Sequence, residues 1–142
     1  MKTDKVKTQA DIDAWPVNEY GRKVFENGCK FGDKCKFVGW CEFGNKCEFG
    51  ERCEFGAGCR FGGWCTFGNE CQFNSGCKFG DGCKFGAECK FGVNCTFGID
   101  CTFGIRPTFG DRCCFCAPMS YIEYFERTNR RNNIDQMNYN AE

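Results

Sequence analysis

Phenylalanine occupies every sixth position from Phe25 to Phe115 without a miss. Cysteine keeps step two residues ahead of it from Cys29 to Cys113, with Pro107 taking one turn in the series. A period of six excludes a single amphipathic helix, because a turn of about 3.6 residues would scatter the rings around the cylinder. It suits short strands joined by turns. Side chains alternate across a strand, so Cys and Phe two apart face one way and the residue between them faces the other. That middle residue is Lys, Glu, Arg, Thr or Gln in nearly every hexad. Each hexad therefore reads as one side of a coil with an apolar inner face and a polar outer face, and the regularity predicts a solenoid. The structural core is expected at Cys47, Phe49, Cys65, Phe67, Cys83, Phe85, Cys101 and Phe103. Gly follows Phe in most hexads, the departures being Glu26, Val38, Asn74 and Cys116. This Gly is assigned the corner, and Asn74 is the substitute most tolerant of a left-handed backbone.

In Phe31-Gly32-Asp33-Lys34-Cys35-Lys36 a bulky apolar residue is followed by Gly, two variable positions, a small residue and one more variable position. Over residues 23–118 this frame resembles the hexapeptide-repeat family of left-handed parallel β-helices. The resemblance implies an all-β solenoid, a left-handed parallel β-helix of about five 18-residue coils. Residues 1–22 would be an N-terminal segment and cap, and residues 119–142 a C-terminal capping α-helix with a polar tail. Phe in place of the family's Leu, Ile or Val leaves a wider, four-sided coil as the alternative. The polar positions favour three sides, since their composition changes every three hexads: Glu42, Glu48, Glu54; then Lys78, Lys84, Lys90; then Thr96, Thr102, Thr108. A separation of 18 sets Lys30 beside Glu48, Lys36 beside Glu54 and Glu42 beside Arg60, whereas 24 would put Lys36, Arg60 and Lys84 in one column. At ~4.8 Å per coil, five coils make a rod roughly 24 Å long.

A solenoid needs caps over its terminal coils. Thr8 to Asp11 predicts a brief helix stopped by Pro16, with Trp15 and Tyr20 covering the first coil. Ser120-Tyr121-Ile122-Glu123 has the capping-box order and predicts a helix over 121–131 that lays Ile122 and Phe125 on the last coil. The polar tail beyond it reads as loose or ordered by a partner.

Basic and acidic residues number 19 each and the pI is near 6.3, which argues against general nucleic-acid binding. The first fifteen residues carry no apolar run of signal-peptide length and no stretch approaches a membrane span, so the expectation is a cytoplasmic protein whose sixteen cysteines are mostly free thiols. Hexapeptide-repeat enzymes are commonly acyltransferases with a histidine base, and related members are carbonic anhydrases with histidine-bound zinc. This chain has no histidine, so the resemblance supplies the fold without the family's usual chemistry. Structural zinc sites take close C-x2–4-C pairs, whereas this repeat offers C-x5-C with successive thiols on different sides. Inert packing thiols and no cofactor are expected, with Cys113, Cys114 and Cys116 the weak metal candidates where the beat breaks.

Trp40 and Trp64 each precede a Cys and point outward. With Tyr121, Tyr124, Arg127, Arg130 and Arg131 of the terminal helix they are the partner-binding candidates. The expectation is a non-enzymatic interaction or assembly module that binds a protein partner, with a homodimer or homotrimer open. Arrays of C-x-F-G are similar to uncharacterised products of bacteria and their phages, which implies a phage-type inhibitor of a host factor, acting in the host cytoplasm. The rivals are a hexapeptide-type transferase lacking the usual histidine and a cysteine-based metal or redox protein. Mimicry of duplex nucleic acid is disfavoured by the neutral charge and the ring of lysines, and ice binding by threonines that encircle the rod.

Overall fold

A computed structural model describes residues 5–115 and 138–139. After β1 (Val6–Lys7) and helix α1 (Gln9–Ala14), two-residue strands recur every six positions from β2 (Val24–Phe25) through β3 (Lys30–Phe31) and β4 (Lys36–Phe37) to β17 (Cys114–Phe115), and β18 (Asn138–Tyr139) comes last. Between β2 and β17 every pairing is parallel and joins residues 18 apart, Lys30 to Glu48, Lys36 to Glu54 and Glu42 to Arg60 among them. Three sheets result, one for each side of the coil. The chain is thus a parallel β-solenoid of about five turns, and the four-sided alternative falls.

Three phenyl rings per layer fit because each column stacks and neighbouring columns meet edge-on. In-register parallel strands hold equivalent rings about one strand spacing apart, so rings within a column lie nearly parallel at 4.8 to 5.2 Å between centroids. Between columns, consecutive rings meet at 5.0 to 5.3 Å, close to perpendicular, the arrangement that the ring quadrupole favours. Cysteine fills the space beside them. Cys47, Cys65, Cys83 and Cys101 are buried, and each thiol donates to a carbonyl of the coil beneath, at 3.4 Å to Glu26, Gly44 and Gly62 and 3.3 Å to Gly80.

The corners differ from the sequence expectation. The left-handed residue is the one before Cys, or before Pro107 in its place, not the Gly after Phe: Lys34, Trp40, Lys46, Arg52 and seven further non-glycines have φ between 53° and 65°. This conformation aims the N–H along the rod, so that Lys34 donates to the Glu51 carbonyl at 2.8 Å and Lys46 to that of Gly63 at 2.9 Å. The Gly after Phe is needed for a different reason, close approach. A Cβ on Gly68 would stand 2.8 Å from the Glu51 nitrogen and the Gly50 carbonyl carbon, both main chain of the preceding coil. Between Gly and the left-handed residue, Asn or Asp frequently accepts the N–H of the next coil: Asp33 from Glu51 and Asn45 from Gly63 at 2.8 Å, Asp81 from Ile99 at 2.9 Å. Ala57 has no such acceptor, and there Asn74 takes the Ser75 N–H at 3.0 Å with its own side chain.

A non-glycine residue in the left-handed region costs roughly 1–2 kcal/mol. Lys34 is exposed, so Lys34→Gly removes that cost while adding roughly 0.5–1 kcal/mol of chain entropy. The expected outcome is an unfolding free energy raised by up to about 1.5 kcal/mol, seen as a higher denaturation midpoint at unchanged slope; a lowered midpoint contradicts it.

The N-terminal cap covers the starting edge of all three sheets. Thr8 and Asp11 form a reciprocal capping box on α1, and Ile12 is buried. β1 pairs with β3, the Gln9 amide both accepts from the Lys36 N–H at 2.7 Å and donates to its carbonyl at 2.9 Å, and the Trp15 indole donates to the Val24 carbonyl at 3.0 Å. Trp15 also packs on Phe25 at 4.8 Å, with the Lys7 ammonium 5.3 Å from its ring. Tyr20 is 76% exposed and does not cover the first coil, because the turn in which Asn18 accepts from Tyr20 and Arg22 carries it outward. At the other end, β18 pairs with β17, Asn138 opposite Cys114, so a stretch of the tail read as loose is a strand. The expected helix over 121–131, with Ile122 and Phe125, lies outside the described residues.

Candidate functional site

Trp40 and Trp64 edge one sheet. Trp40 stands at the turn entering the strand Glu42–Phe43 and Trp64 at the turn leaving the adjacent strand Arg60–Phe61. They are 55% and 56% exposed, yet neither indole is loose. Each is pressed against a left-handed glycine: a Cβ on Gly58 would sit 2.5 Å from the Trp40 ring, and one on Gly82 would collide with the Trp64 ring in the same way. Trp and Gly are 18 apart in both pairs, so the sequence held this signal, a glycine one coil beyond each tryptophan.

Between the two corners runs the outward row Val24, Glu42, Arg60, Lys78 and Thr96. Arg22, not singled out by the sequence pattern, pairs with Glu42 at 3.0 Å and lies 5.5 Å from the Trp40 ring centroid. Tyr20, Gly21, Arg22 and Trp40 line a concavity of about 240 Å³. Tyr121, Tyr124, Arg127, Arg130 and Arg131 lie outside the described residues.

The other outward groups are distributed or already paired. Lys78, Lys84 and Lys90 fall on three different sheets, as do Thr96, Thr102 and Thr108. One further side of the rod carries a groove of about 320 Å³ lined by Arg52, Glu54, Glu70, Gln72, Glu88 and Lys90. Its edge is closed by ion pairs Arg52–Glu70 and Arg106–Glu88, both 2.8 Å. Arg106 holds the Glu88 carboxyl below its ordinary value.

The fifteen described cysteines are free and all but Cys114 are buried. The fourteen buried thiols stand in three columns with partners 18 apart in sequence. A hydrogen bond with Cys101 and burial push the Cys83 thiol up to about 12, a bond with Cys59 and burial do the same to Cys77, and burial pushes Cys35 up to about 11. One thiol in each column, Cys41, Cys89 and Cys101, is held below its ordinary value by its interaction with the neighbouring thiol of Cys59, Cys71 or Cys83. Cys113 belongs to the core, donating to the Gly92 carbonyl at 3.3 Å, whereas Cys114 is half-buried in the outward position of β17. Cys116 lies outside the described residues. Among the described residues no three Cys, Asp or Glu side chains are grouped to hold a metal, and no helix is long and apolar enough to cross a membrane.

The sequence matches the family of RNA-binding, Nab2-type zinc fingers over residues 23–38, 59–74, 77–92 and 88–104, together less than half of the chain. The comparison with curated proteins and the comparison with solved structures each return no match. A CCCH zinc finger takes three thiolates and a histidine. The chain has no histidine, and successive cysteines in each matched segment point into different columns of the core with a phenylalanine between them. The matched segments do not fit zinc in this fold: what they share with a finger is closely spaced cysteine, and the solenoid uses that cysteine for packing.

Proposed function

We propose that the chain is a non-enzymatic β-helical interaction module that binds a protein partner through the face edged by Trp40 and Trp64. One observation carries the reading: two tryptophans, each more than half exposed, are seated on glycines one coil on. A rigid exposed indole loses little conformational entropy on binding, which is why tryptophan is enriched among binding hot spots. Between them Arg60 and Lys78 are exposed, which suits a partner segment with both apolar and acidic side chains. The hexapeptide-repeat resemblance and its left-handed winding belong to the same reading, and the missing histidine favours the scaffold over the transferase. A phage-type inhibitor of a host factor is the form of it that the similarity of C-x-F-G arrays supplies. RNA binding, named in the matched family's description, has neither a zinc-fitting residue set nor an excess of positive charge in this chain.

The test compares partners captured by the unaltered chain with those captured by Trp40→Ala/Trp64→Ala, with circular dichroism confirming that both rods are folded. A hot-spot tryptophan contributes about 2 kcal/mol or more, so the expected result is a captured partner whose affinity falls at least about thirtyfold in the double variant. Equal capture by both chains rejects this face.

A further inference from the structure

We propose that zinc is a ligand of the unfolded chain and not of the solenoid, so that metal and fold compete for the same thiols. The folded arrangement opposes coordination at every step. A zinc ligand must be a thiolate, whereas the core thiols are S–H donors, bonded at 3.3 to 3.5 Å to carbonyls of the preceding coil along the length of the rod. Deprotonation would leave each such carbonyl without its donor and place a charge among phenyl rings. Geometry adds a second obstacle. A tetrahedral site needs four donors around one point, while consecutive cysteines here enter different columns, and a column presents thiols in a line along the rod. No described set of three donors converges.

Once the chain unfolds, neither obstacle remains. Cys77, Cys83, Cys89 and Cys95 are then separated by five residues each, and closing such short flexible loops around one ion carries a small entropic cost. The reaction is Zn²⁺ with four thiols giving a tetrathiolate complex and four released protons. The cysteine spacing that matches a zinc-finger family over four segments is a property of the extended sequence, which folding then hides. A ligand that binds only the unfolded chain shifts the equilibrium toward it. At free zinc ten times the dissociation constant, each zinc bound raises the unfolding constant about elevenfold.

The experiment uses the full chain in a phosphine reductant with zinc buffered at fixed free concentrations. Native protein incubated with zinc and desalted is expected to carry well under one zinc per chain by elemental analysis, with its circular dichroism unchanged. Chain unfolded in guanidinium and diluted into zinc is expected to recover less native protein than chain diluted into EDTA, to bind zinc, and to regain its yield when EDTA follows; magnesium should have no effect. The denaturation midpoint should fall as free zinc rises. Stoichiometric uptake by the folded rod overturns the proposal, as does a refolding yield or midpoint that zinc leaves unchanged or raises.

Discussion

Raising the pH past about 10 is expected to unfold the rod cooperatively, with most of the thiolate absorbance at 240 nm appearing together with the loss of far-UV circular dichroism. The cause is the columns of buried thiols. Cys59, Cys77 and Cys83 are pushed up to about 12 by hydrogen bonding to the adjacent thiol and by burial. A thiol whose folded value lies above its unfolded value contributes stability that is complete below the unfolded value, 9.0, and is lost as pH rises through the folded one. The window therefore runs from about 9 to about 12. Each such thiol removes about 1.4 kcal/mol per pH unit within it, and domains hold only about 5–15 kcal/mol in all. Three acting together remove about 4 kcal/mol per pH unit, which exhausts that reserve in about one to four units, and further raised thiols shorten the range. Cys41, Cys89 and Cys101, the lowered member of each column, act in the opposite sense. Native ellipticity retained above pH 12, or thiolate absorbance at pH 9 in folded protein beyond that of the lowered thiols Cys41, Cys89 and Cys101, contradicts this account.

The inside of the rod was legible because its signals are periodic. Cys and Phe two apart had to face one way, the spacing of 18 brought Lys30 to Glu48 and Glu42 to Arg60, and the structure pairs them so. The corners were not legible in the same way. Gly after Phe looks like a residue chosen for its freedom to turn, yet its role is to let two main chains approach, a requirement set by the coil beneath and invisible within one hexad. The left-handed position carries Lys, Trp, Arg, Glu, Asn and Asp as well as Gly; no composition marks it, because a backbone hydrogen bond to the next coil offsets the strain. Lys7 and Gln9 had no periodic signal at all. Their places follow from the unsatisfied edges of the first coil, which only the assembled rod defines. At the candidate face the alternation of the strand turns the tryptophans outward, but the glycines that fix their rings and the Arg22–Glu42 pair depend on contacts between coils.

Phe67→Ala, standing for any mid-rod phenylalanine, is expected to cost about 5 kcal/mol, the upper end of the range for aromatic-to-alanine changes. Phe67 is stacked on Phe49 at 4.8 Å and on Phe85 at 4.9 Å, and meets Phe61 and Phe73 edge-on at 5.1 Å. The void cannot close, because strand pairing above and below fixes Phe49 and Phe85 in register, and the neighbouring columns are held by their own ladders. Each aromatic pair adds about 0.5–1.5 kcal/mol beyond its buried area. Phe67→Leu, which keeps most of the volume and restores the residue type usual in hexapeptide repeats, should therefore still lose about 1–3 kcal/mol. Solenoid stability is a sum over neighbouring repeats, so a weak interface inside the rod separates the coils on either side. Hydrogen exchange should show Thr66, Lys84 and Glu48 losing protection first in Phe67→Ala, with the N-terminal cap around Ile12 retained longer. Guanidinium titration of the unaltered chain and the two variants decides the point: a Leu midpoint equal to that of the unaltered chain would mean that the ring stack contributes nothing beyond filling space.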